Sequence, residues 1–353
     1  MRVLHLPHNI ASIPSHTIRG LRAIGVEARG LVIGGNIHQS SDGLKVVTLS
    51  GCSRLERKGK KLLFWWNFLR WIWWADVIHW YFSELLPSGL DLKIVRLLGK
   101  PAVVEWLGSE IRIPEIEIRD NPYYETAYHD KGFECARESL EGSRARQKLF
   151  IDAGFVPIVS GTTGTIQYIQ TDICPRFFSL SQRLSLSDFE PAYPHPDNPR
   201  PLVVHSPSAP VTKGTPYVLA AVERLKRTCD FDFLLLQDMP RHEVLESVKK
   251  ADIYLDQFVL GLYGMAGLEA MAFGKPVVCY MKPSLLDKFS PDIPVVNASP
   301  EELEEKLEML LRDGRLRYET GRRSRNYVET YHDSVEIAGQ LVEIYRNVME
   351  QRA

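Results

Sequence analysis

Residues 261–278 read GLYGMAGLEAMAFGKPVV, a run with four glycines and a single carboxylate, Glu269. Glycines just before a helix let a ligand approach the backbone, and the free N–H groups of the first helical turn favour an anion. The anion site predicted here uses the N–H groups of Gly264, Met265, Ala266 and Gly267. Glu269 is then placed to accept hydrogen bonds from ligand hydroxyls, or else the glycines serve tight packing and Glu269 is an ordinary exposed helix residue.

The elements around this run are those that would position it. Residues 252–256 before it and 277–280 after it are short, apolar and predicted as strands. Residues 266–273 are rich in helix formers, and Gly274 followed by Lys-Pro is a helix stop. The unit is therefore strand, glycine loop, helix, strand.

The composition of the chain limits the class of protein to which it can belong. The 353 residues, 44% of them hydrophobic, are enough for two cores, and the formal net charge of −1 does not suggest nucleic-acid binding. The five cysteines are scattered without a CxxC pair, which favours a reducing compartment and argues against a structural zinc site. We expect no secretory signal and no membrane span, because no uninterrupted apolar run reaches the required length.

Strand-like and helical stretches alternate through most of the chain, which is typical of βαβ units on parallel sheets. The proline-rich segment 181–200 interrupts this alternation and is predicted as a linker. The expected fold is α/β, with two Rossmann-like doubly wound domains facing a central cleft. We assign residues 1–185 to the first domain, 186–335 to the second, and 336–353 to a helix that returns to the first.

Several motifs in this order resemble the GT-B fold glycosyltransferases, specifically the retaining group called family 4. The resembling segments are ADVIHWYF (75–82), LGSEIR (107–112), KGT (213–215), GLEAMAFGKPVV (267–278), NASPEELEEKLEMLL (297–311) and YVETYHD (327–333). The resemblance implies transfer of a sugar from a nucleotide-diphosphate donor to an acceptor hydroxyl, with the first domain binding the acceptor.

The resemblance also implies roles for single residues. Lys213 would stabilise the departing diphosphate together with the helix N-terminus, so that no metal or other cofactor is needed. An isolated lysine at this position would otherwise be an ordinary surface residue. Glu269 matches the second glutamate of the family's Glu-x7-Glu motif and would bind the ribose. Glu110, in the loop after a strand, joins Lys213 as a candidate catalytic residue.

Two positions depart from the family pattern. Gly261 stands where the first glutamate of that motif would contact the donor sugar, and Leu107 stands where the family has a histidine. Either Asp256, Gln257 and Tyr263 contact the sugar instead, or the protein has lost transfer. The alternatives are thus a non-catalytic GT-B fold protein that binds a nucleotide or glycan, and a nucleotide-sugar epimerase on the same scaffold.

The first domain has its own candidates on the acceptor side. They are Asn9, Ser12, His79, Ser109 and Arg112. Asn9 and Ser12 follow the first strand and either face the cleft or only cap the next helix. His79 ends a strand, where ligands bind in open α/β sheets, although a histidine there is often structural.

Residues 54–74, RLERKGKKLLFWWNFLRWIWW, combine basic residues with five of the seven tryptophans. As a helix this stretch has one broad apolar face and a basic N-terminal end. It either packs on the sheet as a core helix or contacts an anionic membrane without crossing it, and both apply if different faces are used. We therefore predict a cytoplasmic protein, at the inner face of the membrane if the second interpretation holds.

Overall fold

The first half of the chain forms a parallel α/β layer structure in the computed structural model, which describes residues 1–34, 38–135, 138–160, 164–286 and 288–351. Over those residues its sheet has seven strands in the order β3-β2-β1-β4-β5-β6-β7, every neighbouring pair parallel. The strands are β1 (Arg2–Leu6), β2 (Glu27–Ile33), β3 (Leu44–Val47), β4 (Val77–Tyr81), β5 (Ala102–Glu105), β6 (Val156–Val159) and β7 (Phe178–Ser179).

Helices cover both faces of this sheet. They are α1 (Ile13–Ala23), α2 (Arg54–Trp74), α3 (Leu90–Leu97), α4 (Pro114–Ile118), α5 (Pro122–Tyr128) and α6 (Leu140–Asp152). The central strand β4 is buried along its whole length, as expected for a parallel strand covered on both sides. Helices α2, α3 and α6 share one apolar cluster on one face, and α1 belongs to a second cluster.

The second half repeats this plan with a smaller parallel sheet. Its described strands follow the order β12-β11-β10-β8-β9. They are β8 (Leu202–His205), β9 (Asp232–Leu235), β10 (Ile253–Leu255), β11 (Val277–Cys279) and β12 (Val296–Asn297). The helices are α7 (Pro210–Lys213), α8 (Thr215–Leu225), α9 (Arg241–Lys250), α10 (Met265–Ala272), α11 (Pro283–Leu286), α12 (Leu303–Arg312), α13 (Gly314–Tyr331) and α14 (Ser334–Glu350).

The last helix, α14, packs on the first sheet rather than on the second. Its Ile337, Leu341 and Tyr345 are buried in the same cluster as Val3 and Ile18 of the first domain. The contact with α1 is close, since a Cβ built on Gly20 would lie 2.1 Å from the carbonyl oxygen of Ser334. Among the described residues, no helix has the length and apolarity that a membrane span requires.

Candidate functional site

A cleft of about 630 Å³ lies between the two sheets. It is lined by the loops that follow β1, β5, β8, β9 and β10, which is the strand edge where open α/β folds bind ligands. Nine of the residues predicted from the sequence line it: Ser12, Arg112, Lys213, Gln257, Tyr263, Gly264, Met265, Ala266 and Glu269. Both domains therefore contribute to one site.

Lys213 lies against the start of α10, as the anion-site hypothesis requires. Its Nζ donates a hydrogen bond to Gln257 Oε1 at 2.6 Å and lies 3.9 Å from Asp256 Oδ1. A Cβ built on Gly264 would come within 2.8 Å of the same Nζ. A side chain at position 264 would therefore displace the ammonium group from its place beside the helix N-terminus.

Asp256 already accepts a hydrogen bond from the N-terminus of α10. Its Oδ2 accepts the N–H of Gly264 at 2.5 Å, and a Cβ on Gly267 would lie 2.6 Å from the same oxygen. Burial raises the pKa of Asp256, and the charge of Lys213 opposes that rise. Of the predicted anion site, Met265 and Ala266 line the cleft, Gly264 lines it with its N–H bonded to Asp256, and Gly267 is buried behind it.

Glu269 lines the cleft in an ion pair that the sequence analysis did not anticipate. Its Oε1 lies 2.5 Å from Nη2 of Arg241, the first residue of α9, which also lines the cleft. Burial raises the pKa of Glu269, and the arginine counteracts this. The only sequence signal for Arg241 is a basic residue at the start of a helix that follows a strand and a short loop.

On the opposite wall, Ser12 and Arg112 reach the cleft from the first domain. Ser12 has a left-handed backbone, and its hydroxyl accepts the N–H of Ser40 at 2.8 Å instead of capping α1. Arg112 donates from Nη1 to Glu138 Oε1 at 2.7 Å, so that its positive charge is already paired with a carboxylate.

The other first-domain candidates lie outside the cleft lining. The side-chain amide of Asn9 donates to the carbonyl of Ser40 at 2.7 Å. His79 is buried in the sheet, with Nδ1 2.6 Å from the hydroxyl of Tyr345 and Nε2 3.0 Å from Glu105 Oε2. Neither side chain is part of the cleft wall.

Glu110 and Ser109, in the loop after β5, also lie outside the cleft lining. The Glu110 carboxylate accepts the N–H groups of Leu107 and Gly108, which holds it inside its own loop. Burial raises the pKa of Glu110 to about 7. Ser109 is exposed and is not part of the cleft wall.

A buried ion pair between the domains was not predicted from the sequence. Nζ of Lys282, from the second domain, lies 3.1 Å from Glu117 Oε2 and 3.3 Å from Asp120 Oδ1 of the first. A Cβ on Gly261 would lie 2.8 Å from Cβ of Lys282, so that a glutamate at 261 would collide with this lysine. The departure from the family motif at Gly261 thus makes room for the interdomain contact.

The carboxylate of Glu134 forms a second contact between the domains. It accepts the N–H groups of Val211 and Thr212, at 3.2 and 3.0 Å, in the turn that ends at Lys213. A residue of the first domain thus helps to hold the lysine of the second. Within the described ranges, no group of three or more His, Cys, Asp or Glu side chains is arranged to hold a metal ion.

Comparison with known proteins agrees with this geometry. Residues 232–327 match the family model described as glycosyl transferases group 1, and no curated protein matches the sequence. A sucrose-phosphate synthase from Thermosynechococcus elongatus superposes with a TM-score of 0.65 at 14% identity, over 99% of this chain and 100% of that one.

Two further solved structures show the same arrangement. A trehalose-6-phosphate synthase studied for glycosyl transfer with retention has a TM-score of 0.57 at 10% identity, over 98% of both chains. The Anabaena protein HepE in complex with UDP and glucose has a TM-score of 0.53 at 13% identity, over 98% of this chain and 99% of that one. The chain therefore has the two-domain GT-B fold, and its second domain contains the match to the group 1 glycosyl transferases.

Proposed function

We propose that the protein is a glycosyltransferase that moves a sugar from a nucleotide-diphosphate donor to an acceptor hydroxyl. The observation that carries this proposal is the Lys213 ammonium group, which lies over Gly264 at the N-terminus of α10 inside a two-domain cleft. A cation and a helix N-terminus together suit a diphosphate. The family match over residues 232–327 and the neighbour solved with UDP support the same class of donor.

The proposed chemistry needs few protein groups. The bond between the anomeric carbon and the diphosphate oxygen breaks, and a bond from that carbon to the acceptor oxygen forms. Lys213 and the N–H groups of Met265 and Ala266, in the first turn of α10, stabilise the charge that develops on the diphosphate. The acceptor proton passes to the leaving phosphate oxygen on the same face of the sugar, which gives retention of configuration.

The small number of carboxylates in the cleft supports this retaining route. Among the described cleft-lining residues they are Asp238 and Glu269, and Glu269 is paired with Arg241. Glu110 is held by the N–H groups of its own loop, and Leu107 stands where the family places a histidine. A protein base is dispensable when the leaving group takes the proton.

The test is turnover of a donor that the protein binds. Thermal-shift measurements with UDP, GDP, dTDP and ADP identify the nucleotide, since a ligand at 100 times its Kd adds about 2.7 kcal/mol of stability. We expect NMR of the glycosylated product, or of donor hydrolysed in the absence of acceptor, to show the donor's anomeric configuration first. Nucleotide binding without any turnover would instead favour a non-catalytic binding protein, and an epimerised donor would favour an epimerase.

Activity is expected to survive EDTA. Lys213 and the N–H groups of α10 offer the positive charge that a divalent cation would otherwise supply to the diphosphate. The measurement is the initial rate before and after chelation. Recovery of a chelated, inactive sample on addition of Mg²⁺ or Mn²⁺ would contradict this proposal.

Glu269→Gln is expected to weaken nucleoside diphosphate binding by about 1–3 kcal/mol while leaving inorganic diphosphate binding nearly unchanged. The reason is that a carboxylate accepts hydrogen bonds from both ribose hydroxyls, whereas an amide also presents donors. Calorimetry with the two ligands separates the effects. Equal losses for both would mean that the Arg241–Glu269 pair supports the fold rather than the ribose.

We further propose that α2 binds the surface of an anionic membrane. One side of the helix, formed by Phe64, Phe68 and Ile72, is buried against the sheet, while Leu62, Trp66 and Trp73 are 74%, 64% and 74% exposed. Residues 53–63 are all exposed, so that the N-terminal half of α2 presents its side chains to solvent. Core packing and an interfacial role therefore use different faces of one helix.

The charge of α2 fits that partner. Its exposed basic residues are Arg54, Arg57, Lys58, Lys60, Lys61 and Arg70, against a single acidic residue, Glu56. Helix α3 adds Leu97, 84% exposed, and the neighbouring Lys100 donates to the carbonyl of Trp73. Tryptophan and leucine with a basic rim match a headgroup region, and the acceptor is then proposed to be lipid-linked.

A further inference from the structure

The loop formed by residues 256–263 keeps nearly all of its polar side-chain groups for contacts within the protein. Oδ2 of Asp256 accepts from the N–H of Gly264, while Oδ1, which has no hydrogen-bond partner among the described residues, is buried 3.9 Å from Nζ of Lys213. The Gln257 amide accepts from Lys213 and donates to the carbonyl of Leu262. The Tyr263 hydroxyl points into the second domain, 3.1 Å from His332 Nε2. The three side chains that the sequence suggested for binding sugar hydroxyls are therefore already engaged.

The backbone of the same loop is also used. The carbonyl of Val259 accepts the side-chain amide of Asn121 at 2.7 Å, and the carbonyl of Gly261 accepts the N–H of Lys282 at 2.9 Å. The space where a side chain at 261 would point is filled by the aliphatic stem of Lys282. A donor sugar thus meets few unused acceptors on this side of the cleft.

Apart from Gln257 and Tyr263, whose polar groups are engaged within the protein, the loop presents apolar side chains to the cleft. Leu260 and Leu262 line it and are half-buried, and Leu107 lines it from the first domain. With the ribose at Glu269 and the diphosphate at Lys213, the next group along the donor lies beside the Lys213–Gln257–Leu262 hydrogen-bonded chain. That group is the transferred sugar, and these leucines are its neighbours.

We propose that the donor sugar turns a methyl group, from a 6-deoxy carbon or from an acetamido substituent, toward Leu260 and Leu262. A hydroxyl in that place would lose its water without gaining a hydrogen bond, whereas a methyl group gains apolar contact. This inference rests on the proposed donor class and names the kind of sugar that the class contains.

The experiment compares three sugars on the nucleoside diphosphate that stabilises the protein most. They are glucose, 6-deoxyglucose and N-acetylglucosamine, with the plain nucleoside diphosphate titrated alongside by calorimetry. We expect at least one methyl-bearing donor to bind about five- to fiftyfold more tightly than the glucose donor. The two analogues distinguish a 6-deoxy from an acetamido methyl group.

Variants test whether the leucines cause the preference. Leu262→Gln and Leu260→Gln should each reduce the ratio of methyl-bearing to glucose donor affinity at least about threefold, because the amide can bond a hydroxyl. Leu219→Gln, at a half-exposed leucine on α8 outside the cleft, is the matched control and should leave the ratio unchanged. If the affinity ratio is the same in the two cleft variants as in the wild type, Leu260 and Leu262 do not contact the methyl group.

The wild-type panel decides the proposal even if a variant fails to fold. Equal or tighter binding of the glucose donor than of both analogues would overturn the apolar sugar site. Because the plain nucleoside diphosphate is measured in the same series, that result leaves the proposed donor class standing. Failure of every nucleoside diphosphate to bind would instead overturn the donor class itself.

Discussion

Lys213→Ala is expected to weaken binding of a nucleoside diphosphate by about 1.5–3 kcal/mol, which is roughly 10- to 100-fold in Kd. The ammonium group is only part-exposed, and its nearest partner is the neutral amide of Gln257 at 2.6 Å. A diphosphate can replace that partner with a charge-assisted bond. Calorimetry with the nucleoside diphosphate and with inorganic diphosphate measures the loss.

Two comparisons make the result specific to the cleft. Lys226→Ala removes the same charge from an exposed position at the end of α8 and should leave affinity unchanged. Lys213→Arg should retain part of the affinity, since it keeps the charge but alters the geometry. Diphosphate binding that does not differ between wild type and Lys213→Ala would contradict the proposed site.

Reversing the charge at Lys58, Lys60 and Lys61 to glutamate should abolish binding to vesicles that contain anionic lipid. Each basic residue near such a surface contributes about 1 kcal/mol, so that the triple reversal removes and then opposes the main electrostatic attraction. Sedimentation with vesicles at low salt measures the effect. Binding by the wild type should also fall at high salt, because the attraction is screened.

Controls separate the membrane surface from general charge and from folding. The matched reversal of Lys226, Arg227 and Lys250, all exposed on the second domain, changes the net charge equally and should preserve vesicle binding. Trp66→Ala together with Trp73→Ala should weaken binding without changing its salt dependence. Nucleotide affinity should be the same in every variant. Failure of the wild-type protein to bind anionic vesicles would refute the membrane contact.

The fold could be predicted because its strands are short, apolar and separated by regular helices. The strands predicted over residues 252–256 and 277–280 are observed as β10 (Ile253–Leu255) and β11 (Val277–Cys279), and the helix predicted over 266–273 is observed as α10 (Met265–Ala272). Helix α13 is different, because its buried face holds Arg317, Thr320, Gly321 and Ser324 and becomes apolar only near its end, at Tyr327 and Val328. The first part of that face has no apolar stripe, so that periodicity alone does not reveal where the helix begins.

The candidate site was predictable only where a local motif marks it. Lys213 and the glycines at the start of α10 belong to short sequence motifs, and each motif predicts the local structure around it. Arg241 and Lys282 acquire their partners through the fold, from residues 28 and 165 positions away. Asp256 could be placed near the cleft, but its bond to the N–H of Gly264 depends on how the loop closes.

The return of α14 to the first sheet has a consequence for synthesis of the chain. The first 185 residues leave the ribosome without the helix that covers Val3 and Ile18, and this apolar face stays open until Tyr345 has emerged. At typical elongation rates that interval is on the order of ten seconds. The first sheet is therefore covered only after the second domain has been made, and a nascent chain has to keep this face from associating with others until α14 arrives.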